Sequence, residues 1–255
     1  MPGFPADSPL VAKVVPSPNR DGRAGRGRPD MIVLHYTGMT SAEAALERLC
    51  SREAHVSSHY LVFEDGRIFQ LVPEALRAYH AGVSSWEGET DTNSRSIGIE
   101  IANPGHDFGY PDFPPVQIAA VIALCRDILA RRPMRPDRVV AHSDVAPSRK
   151  NDPGEKFPWR ELHAAGVGHW VEPVPLGDNR GLAEGSHGRA VADLQSSLTA
   201  YGYGVAASGV FDKAMRDVVV AFQRHFRPAR VDGIADRSTT ETLRRLLAAR
   251  PSVLR

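Results

Sequence analysis

Residues 139–154, VVAHSDVAPSRKNDPG, place side chains that can bind a metal or move a proton directly after a short apolar strand. His142 follows the strand at once, and Lys150 and Asp152 come within ten residues of it. The prolines and polar residues between them predict a loop rather than a helix. Two hypotheses are open for this segment: a polar surface loop with a salt bridge, or half of a metal site that another part of the chain completes.

Other polar residues stand where predicted strands stop. His35 comes at the end of the apolar run MIVL, and Glu100 lies in the alternating strand SIGIEI. A strand end presents a side chain from a rigid base, which suits the construction of a site. His35, His142 and Asp152 together offer two imidazoles and one carboxylate, a ligand set that suits catalytic zinc with a fourth position for water.

The abundance of histidine weakens the case for any one imidazole taken alone. The chain contains ten histidines, and most are expected on the surface or in the core with one hydrogen bond. We interpret His55 and His59 as structural, although a site with a third imidazole ligand is the main rival arrangement. The occurrence of HYTG, SIGIE and AHSDVAPSRKNDPG in this order favours the metal site over a chance grouping.

The apolar pattern predicts alternating strands and helices in this part of the chain. SIGIEIAN has its three isoleucines on one face, and Asp65-Gly66 joins two strands as a hairpin. A capping box at Thr40–Glu43 opens a helix that runs through Cys50. The other predicted elements are the strands MIVLHY and RVVAH and the helix VQIAAVIALCRDILARR. They predict an α/β fold in which a mixed sheet is covered by helices.

Composition marks the remaining parts of the chain. Residues 1–29 are rich in proline, glycine and arginine and predict an extended segment, whose arginines we interpret as a solvated entry rather than a ligand contact. Residues 171–180, VEPVPLGDNR, are a predicted linker. Residues 181–255 predict a small bundle of three helices, the second capped by Asp212 and the third by a capping box at Ser238–Glu241.

Charge and hydropathy exclude several classes of protein. The formal net charge is +1 with acids and bases mixed, whereas a nucleic-acid binder shows a basic face. No apolar run is long enough to span a bilayer, and the N-terminus lacks the pattern of a secretory signal. These features predict a cytoplasmic protein without a transmembrane segment, with the periplasm or cell envelope as the alternative. We interpret Cys50 and Cys125 as small buried apolar residues.

A string of motifs across residues 30–170 resembles a known family. The motifs are LHYTG, VSSHYLVFEDGRIFQLVPE, YHAGVSSW, NSRSIGIEIAN, VVAHSDVAPSRKNDPG and FPW. They are similar to the zinc-dependent N-acetylmuramoyl-L-alanine amidases of the type-2 family, which share their fold with peptidoglycan-recognition proteins. The distal segments VADLQSSLTAYGY, GVFDKAMRDVVVAFQRHFRP and VDGIADRSTTETL resemble the peptidoglycan-binding module that one branch of this family carries.

The resemblance implies hydrolysis of the amide bond between N-acetylmuramic acid, or its 1,6-anhydro form, and L-alanine of the stem peptide. It implies one zinc ion on His35, His142 and Asp152, with Glu100 as the catalytic acid and base. It also implies that Lys150 is the second catalytic residue, although a role as a partner for Asp152 is the alternative. The expected substrate-binding residues are Tyr36, His80, Trp86 and Arg149.

Alternatives to this activity remain open at the level of the sequence. A non-catalytic recognition protein could bind peptidoglycan on the same fold, although such proteins typically lose a zinc ligand and all three candidates are present here. A metallohydrolase of another class and a structural cell-wall anchor are further alternatives. The C-terminal module is expected either to bind the wall or only to pack on the catalytic domain.

Overall fold

The computed structural model describes residues 3–25 and 27–250. Arg26, one member of the predicted solvated arginine cluster, lies outside the described residues. The strands are β1 Lys13–Val14, β2 Arg20–Gly22, β3 Met31–Tyr36, β4 Tyr60–Val62, β5 Ile68–Gln70, β6 Leu76–Ala78, β7 Ser96–Ile101, β8 Val139–Ala141, β9 Gly181–Leu182 and β10 Ala235–Asp236. The helices are α1 Ala42–Cys50, α2 Thr92–Arg95, α3 Pro115–Arg131, α4 His142–Val145, α5 Trp159–Ala164, α6 Arg189–Tyr201, α7 Lys213–Phe226 and α8 Arg237–Ala248.

The strands between residues 13 and 141 form a six-stranded mixed sheet in the order β1-β5-β4-β7-β3-β8, apart from the separate pair β2–β6. Strand β3 runs parallel to β7 and β8, and β4 runs parallel to β7. The predicted hairpin at Asp65-Gly66 joins the antiparallel strands β4 and β5. This arrangement confirms the predicted fold class.

Parallel pairing brings the polar strand-end residues to one edge of the sheet. His35 on β3 is in register with Glu100 on β7, and Leu34 is in register with Ala141, the last residue of β8. Because the carboxyl ends of parallel strands meet at the same edge, His142 at the start of α4 comes next to His35. The isoleucines of β7 are fully buried on the face of the strand opposite to Glu100, as their alternation predicts.

Two helix starts differ from the predicted capping boxes. Helix α1 is capped by Ser41, whose hydroxyl accepts the Ala44 N–H at 3.1 Å, rather than by Thr40. Helix α8 is capped by Asp236, whose carboxylate accepts the Thr239 N–H at 2.8 Å. The cap is the residue just before the first helical turn. Because α8 begins at Arg237, that residue is Asp236, and Ser238 already lies inside the helix.

The N-terminal segment runs along the domain, and its interpretation as solvated is wrong for Arg23. Strand β1 pairs with β5, and β2 pairs with β6. The guanidinium of Arg23 donates to the backbone carbonyls of Glu74 at 3.0 Å and Ser96 at 2.9 Å. Buried carbonyl oxygens require a hydrogen-bond donor, and the Arg23 guanidinium supplies one to these two.

Helices α6, α7 and α8 and the antiparallel pair β9–β10 form the C-terminal region. The largest buried apolar cluster is continuous from the sheet into these helices; it includes Ile97, Val121, Trp86, Tyr203 and Phe222. Cys50 and Cys125 are free thiols, the first half-buried and the second buried. Across the described ranges, no helix is long and apolar enough to cross a membrane.

Candidate active site

Three predicted ligands converge at the edge of the sheet. The Nδ1 atoms of His35 and His142 are 2.9 Å apart, and Asp152 Oδ2 lies 2.9 Å from His142 Nδ1 and 3.2 Å from His35 Nδ1. All three side chains are buried. Ligand atoms around tetrahedral zinc stand about 3.3 Å apart, given metal–ligand bonds of about 2.0–2.2 Å. The spacing and donor types therefore fit one small metal ion.

The outer nitrogens of both imidazoles have partners that direct the lone pairs inward. His142 Nε2 lies 3.2 Å from the carbonyl oxygen of Ala81, which can only accept, so Nε2 carries the proton. His35 Nε2 lies 3.0 Å from Nδ1 of His80. With protons on both Nε2 atoms, both Nδ1 atoms are free to bind a metal.

His80 is held in the tautomer that accepts the proton of His35. The Ser96 hydroxyl donates to the Thr92 carbonyl at 2.6 Å, so its oxygen accepts from His80 Nε2 at 3.2 Å. His80 Nδ1 is then unprotonated and accepts from His35 Nε2. His80, predicted to bind substrate, lines the cleft, and its hydrogen bonds also orient the candidate ligand His35.

Burial and charge place the ligands in the protonation states that a metal requires. Burial, together with the nearby His142, lowers the pKa of His35 to about 4. Burial alone would raise the pKa of Asp152, yet the imidazoles of His142 and His35 hold it well below its usual range. At neutral pH the site thus presents neutral His35 and a carboxylate.

The loop that carries Asp152 is tied to the helix that carries His142. The Ser143 N–H donates to the Asp152 carbonyl at 2.9 Å, and the Lys150 N–H donates to the Ala146 carbonyl at 3.0 Å. These backbone bonds return the loop to α4 after its ten-residue excursion. The predicted loop therefore has a defined shape that presents Lys150 and Asp152 to the same cleft.

Glu100 faces the ligands from the adjacent strand. Its Oε2 atom is buried and has no hydrogen-bond partner among the described residues. Burial raises the pKa of Glu100 well above its usual range, the Asp152 carboxylate raises it further, and Lys150 lowers it. A carboxyl group in this state can exchange a proton with a bound molecule.

A cleft of about 360 Å³ joins these groups. Its lining includes His142, Asp152, Glu100, Lys150 and the predicted substrate-binding residues Tyr36, His80 and Arg149. The Tyr36 hydroxyl lies 3.0 Å from His106 Nδ1. Arg149 donates through Nε to the Val83 carbonyl at 3.1 Å and through Nη2 to the Ala81 carbonyl at 3.0 Å.

Trp86, predicted as a wall residue, does not reach the cleft. Its side chain is fully buried, and its ring packs edge-on against Tyr203 at 5.1 Å and Tyr201 at 6.2 Å between ring centroids. The prediction is corrected: Trp86 belongs to the contact with the C-terminal helices. An aromatic residue near a polar motif has the same appearance in sequence whether it lines a wall or a core.

Sequence reasoning missed Asn151 and Asp144. Asn151 lines the cleft between Lys150 and Asp152, and its position inside the motif was the available signal. Asp144 is fully buried two residues after His142, where a surface carboxylate was the simpler expectation. Its Oδ2 atom accepts the backbone N–H of Ala141, the residue before His142, at 2.8 Å.

The geometry agrees with a match at the level of protein families. Residues 25–155 match the family described as N-acetylmuramoyl-L-alanine amidase. The chain belongs to this amidase family. Residues 187–243 of the amidase match a second family, described as a peptidoglycan binding domain.

The chain is similar over most of its length to an amidase of Escherichia coli strain K12. It is 40% identical over 246 residues to the N-acetylmuramoyl-L-alanine amidase AmiD, which covers 89% of this chain and 86% of AmiD. It is 36% identical over 166 residues to the 1,6-anhydro-N-acetylmuramyl-L-alanine amidase AmpD of the same strain, over 58% of this chain and 88% of AmpD.

A solved structure has the same architecture. It is the complex of Escherichia coli AmiD with the substrate anhydro-N-acetylmuramic acid-L-Ala-D-gamma-Glu-L-Lys. The TM-score is 0.75 and the identity is 39%, over 90% of this chain and 92% of that chain. These matches confirm the predicted family and fold of the amidase, and they favour catalysis over recognition alone.

Proposed function

We propose that this amidase hydrolyses the amide bond between N-acetylmuramic acid, or its 1,6-anhydro form, and L-alanine of the stem peptide. The observation that carries the proposal is the convergence of His35, His142 and Asp152 beside Glu100, whose Oε2 lacks a partner within the described ranges. The substrate in the complex of the similar AmiD contains this same bond. The site would hold one zinc ion, because its buried donors are two imidazoles and one carboxylate.

Zinc in this site would supply Lewis acidity, which lowers the pKa of a water molecule and polarises the scissile carbonyl. Glu100 takes a proton from the attacking water and returns it to the nitrogen of L-alanine as that amine leaves. The free Oε2 of Glu100 suits this exchange, because no protein donor competes for it in the described part of the chain. The chain thus supplies both a ligand set and a proton carrier in one cleft.

Lys150 stabilises the negative charge that develops on the carbonyl oxygen. Its ammonium makes no ion pair within 4.0 Å among residues 3–25 and 27–250, which favours this role over a permanent pair with Asp152. Lys150→Met with zinc retained is expected to lower kcat about 100-fold. An unchanged kcat would assign Lys150 to the surroundings of the site rather than to the reaction.

Tyr36 and Arg149 contact the sugar and peptide on either side of the bond. Arg149 already uses Nε and Nη2 for the carbonyls of Val83 and Ala81, so Nη1 remains for a substrate carboxylate. The bidentate contact expected of a free guanidinium is thereby reduced to a single hydrogen bond. His80 lines the same cleft, and we assign it chiefly to the orientation of His35.

The test is release of free peptide from N-acetylmuramoyl-tripeptide and from its 1,6-anhydro form, measured by chromatography with and without a chelator. Glu100→Gln is compared with the exposed control Glu64→Gln, and the zinc content of each protein is determined. We expect chelator-sensitive release that is lost in Glu100→Gln alone, with zinc retained. Failure of the unsubstituted protein to release peptide from either substrate, with one zinc bound, would favour recognition without hydrolysis.

The proposed location is the cytoplasm, with the periplasm or cell envelope as the alternative. A cytoplasmic amidase would act on recycled anhydromuropeptides, whereas one in the envelope would act on the intact wall. Fractionation of cells that produce the protein from its natural gene distinguishes these locations. Recovery in the envelope fraction would overturn the cytoplasmic assignment.

A further inference from the structure

Asp144 is a buried carboxylate that accepts a backbone hydrogen bond at the start of the helix carrying His142. It lies in α4 and is fully buried. Its Oδ2 atom accepts the backbone N–H of Ala141 at 2.8 Å. Ala141 is the residue immediately before the ligand His142, so the position of this carboxylate bears directly on the position of the imidazole.

Two further donors to Asp144 come from the C-terminal region. Tyr203 donates its hydroxyl to Oδ1 at 2.6 Å, and His225 on α7 donates from Nδ1 to Oδ2 at 2.6 Å. Burial raises the pKa of Tyr203 well above its usual range, so the hydroxyl keeps its proton. A carboxylate removed from water requires such donors, and two of the three named here belong to the other region.

Both donors are themselves held by aromatic packing. The His225 ring is stacked between Trp159 and Phe226, with ring centroids 3.7 Å away on each side. The Tyr203 ring packs edge-on against Trp86 at 5.1 Å. Helix α7 also contacts α4 directly. Because packing holds both donors in place, they hold the Asp144 carboxylate in a defined position.

We propose that Tyr203 and His225 are positioning residues of the metal site: they fix Asp144, which fixes the start of α4 and hence His142. The C-terminal region then contributes to metal binding through the protein, in addition to any contact with the wall. The identity of the metal as zinc rests on the proposed function. The hydrogen bonds that carry the inference do not depend on it.

Two tyrosines of the same interface provide a matched comparison. Tyr203 donates to Asp144, whereas Tyr201 lies 2.8 Å from His169 Nδ1 through its hydroxyl. Both are 1% exposed, and both pack against Trp86. Tyr203→Phe and Tyr201→Phe each remove one buried hydroxyl, but only the first removes a donor to Asp144.

The readouts are the zinc dissociation constant, by chelator competition, and the visible spectrum of the cobalt-substituted protein. We expect Tyr203→Phe to weaken zinc binding about 10-fold and to alter the cobalt spectrum, since partners that orient ligands typically have effects of this size. Tyr201→Phe should leave both unchanged. Equal zinc affinities and identical spectra in the two variants would overturn the proposal.

His225 gives a second pair should Tyr203→Phe fold poorly. His225→Asn keeps an N–H near the Nδ1 position, while His225→Leu removes it. We expect the asparagine variant to bind zinc within about 3-fold of the parent and the leucine variant about 10-fold more weakly. Equal affinity in this pair would also overturn the proposal. Because metal binding is measured directly, the result is independent of whether the amide is cleaved.

A different observation carries a second inference, a cationic groove between the cleft and α7. The groove has a volume of about 350 Å³, and Arg149, Lys150 and Asn151 line both it and the catalytic cleft. Arg216 and Arg224 on α7 form its far side. The loop that carries Lys150 therefore lines both spaces.

Positive charge exceeds negative charge in this groove. The lining acid Asp217 is paired with Lys213 at 2.8 Å, and Arg224 lies 3.4 Å from Glu155. Arg216 makes no ion pair within 4.0 Å in the part of the chain that the structure describes. Guanidinium groups beside a cleft attract and bind carboxylates.

We infer that the groove binds a carboxylate of the stem peptide beyond the scissile bond, an inference that deepens the proposed function. The test compares KM for a muramoyl-peptide with free carboxylates and for its fully amidated form. Arg216→Gln should raise KM about 5-fold for the first substrate only, and the control Arg237→Gln should change neither. Equal KM values for Arg216→Gln and the parent on the free-carboxylate substrate would overturn the assignment, whereas absence of turnover by the parent would count against the proposed function instead.

Discussion

Backbone groups determine which nitrogen of several buried imidazoles carries the proton. His59 Nδ1 accepts the N–H of Gly98 at 3.0 Å, and its Nε2 faces the carbonyl of Leu76 at 3.0 Å. Burial lowers the pKa of His59 to about 3, and the charge of Arg23 contributes. Protonation of Nδ1 would place two N–H groups against each other at strand β7.

The pKa of His59 predicts a loss of stability in mild acid. The unfolded chain takes up this proton near pH 6.5 and the folded protein only near pH 3. The contribution of His59 to the free energy of unfolding is therefore complete above pH 6.5 and is lost as the pH falls toward 3. We expect His59 to account for about 2 kcal/mol of the loss between pH 7.5 and 5. Urea denaturation at both pH values measures it.

His59→Asn is the matched variant for this measurement. Its side-chain oxygen can accept the Gly98 N–H and does not titrate in this range. The free energy of unfolding should therefore fall less between pH 7.5 and 5 in the variant than in the parent. Parallel losses in the two proteins would show that other groups control the acid sensitivity.

Strand β7 links the candidate metal site to the sheet through close contact with the ring of His80. A Cβ atom at Gly98 would lie 2.4 Å from Cγ of His80, a separation that real contacts do not reach. His80 in turn accepts the proton of His35. The strand therefore requires glycine at this position, because the His80 ring lies directly on the backbone.

We predict that Gly98→Ala destabilises the protein by about 1–3 kcal/mol and weakens zinc binding, since the His80 ring must move. A Cβ atom added at the exposed Gly22 on β2 would meet nothing within 4 Å, so Gly22→Ala is the control. Denaturation and chelator competition on both variants measure the effects. Unchanged zinc affinity in a destabilised Gly98→Ala protein would separate the packing of His80 from ligand orientation.

The two regions of the molecule share one apolar core. Trp86 packs against Tyr201 and Tyr203, and a Cβ atom at Gly202 would lie 2.6 Å from the Trp86 ring. The Glu87 N–H donates to the Gly202 carbonyl at 2.8 Å. Apolar surface of this kind would face water if either region unfolded alone, so the two are expected to unfold together.

Calorimetry of the intact protein should therefore show a single unfolding transition. Trp86→Ala is expected to lower the free energy of unfolding by about 3–5 kcal/mol, because it leaves a large cavity between the regions. Phe108, which is 55% exposed, provides the control Phe108→Ala with little effect. Two separate transitions in the unsubstituted protein would contradict the shared core.

Much of the site can be predicted from local pattern. Apolar runs that stop at His35 and His142, and the alternation around Glu100, indicate the strands and their polar ends without knowledge of their partners. The mixed α/β class follows from the order of strands and helices. These features depend on periodicity along a few consecutive residues, which each segment retains whatever packs against it.

The roles of Trp86, His80, Arg23 and Asp144 depend on contacts with residues far away in the chain. Asp144 meets donors 59 and 81 residues distant, and His80 meets a ligand 45 residues before it. A side chain's type states which bonds it can make, but the partner that removes it from water is supplied by folding. For this reason the sequence indicates the candidate ligands of a metal, whereas the groups that hold those side chains in place emerge only when distant segments pack together.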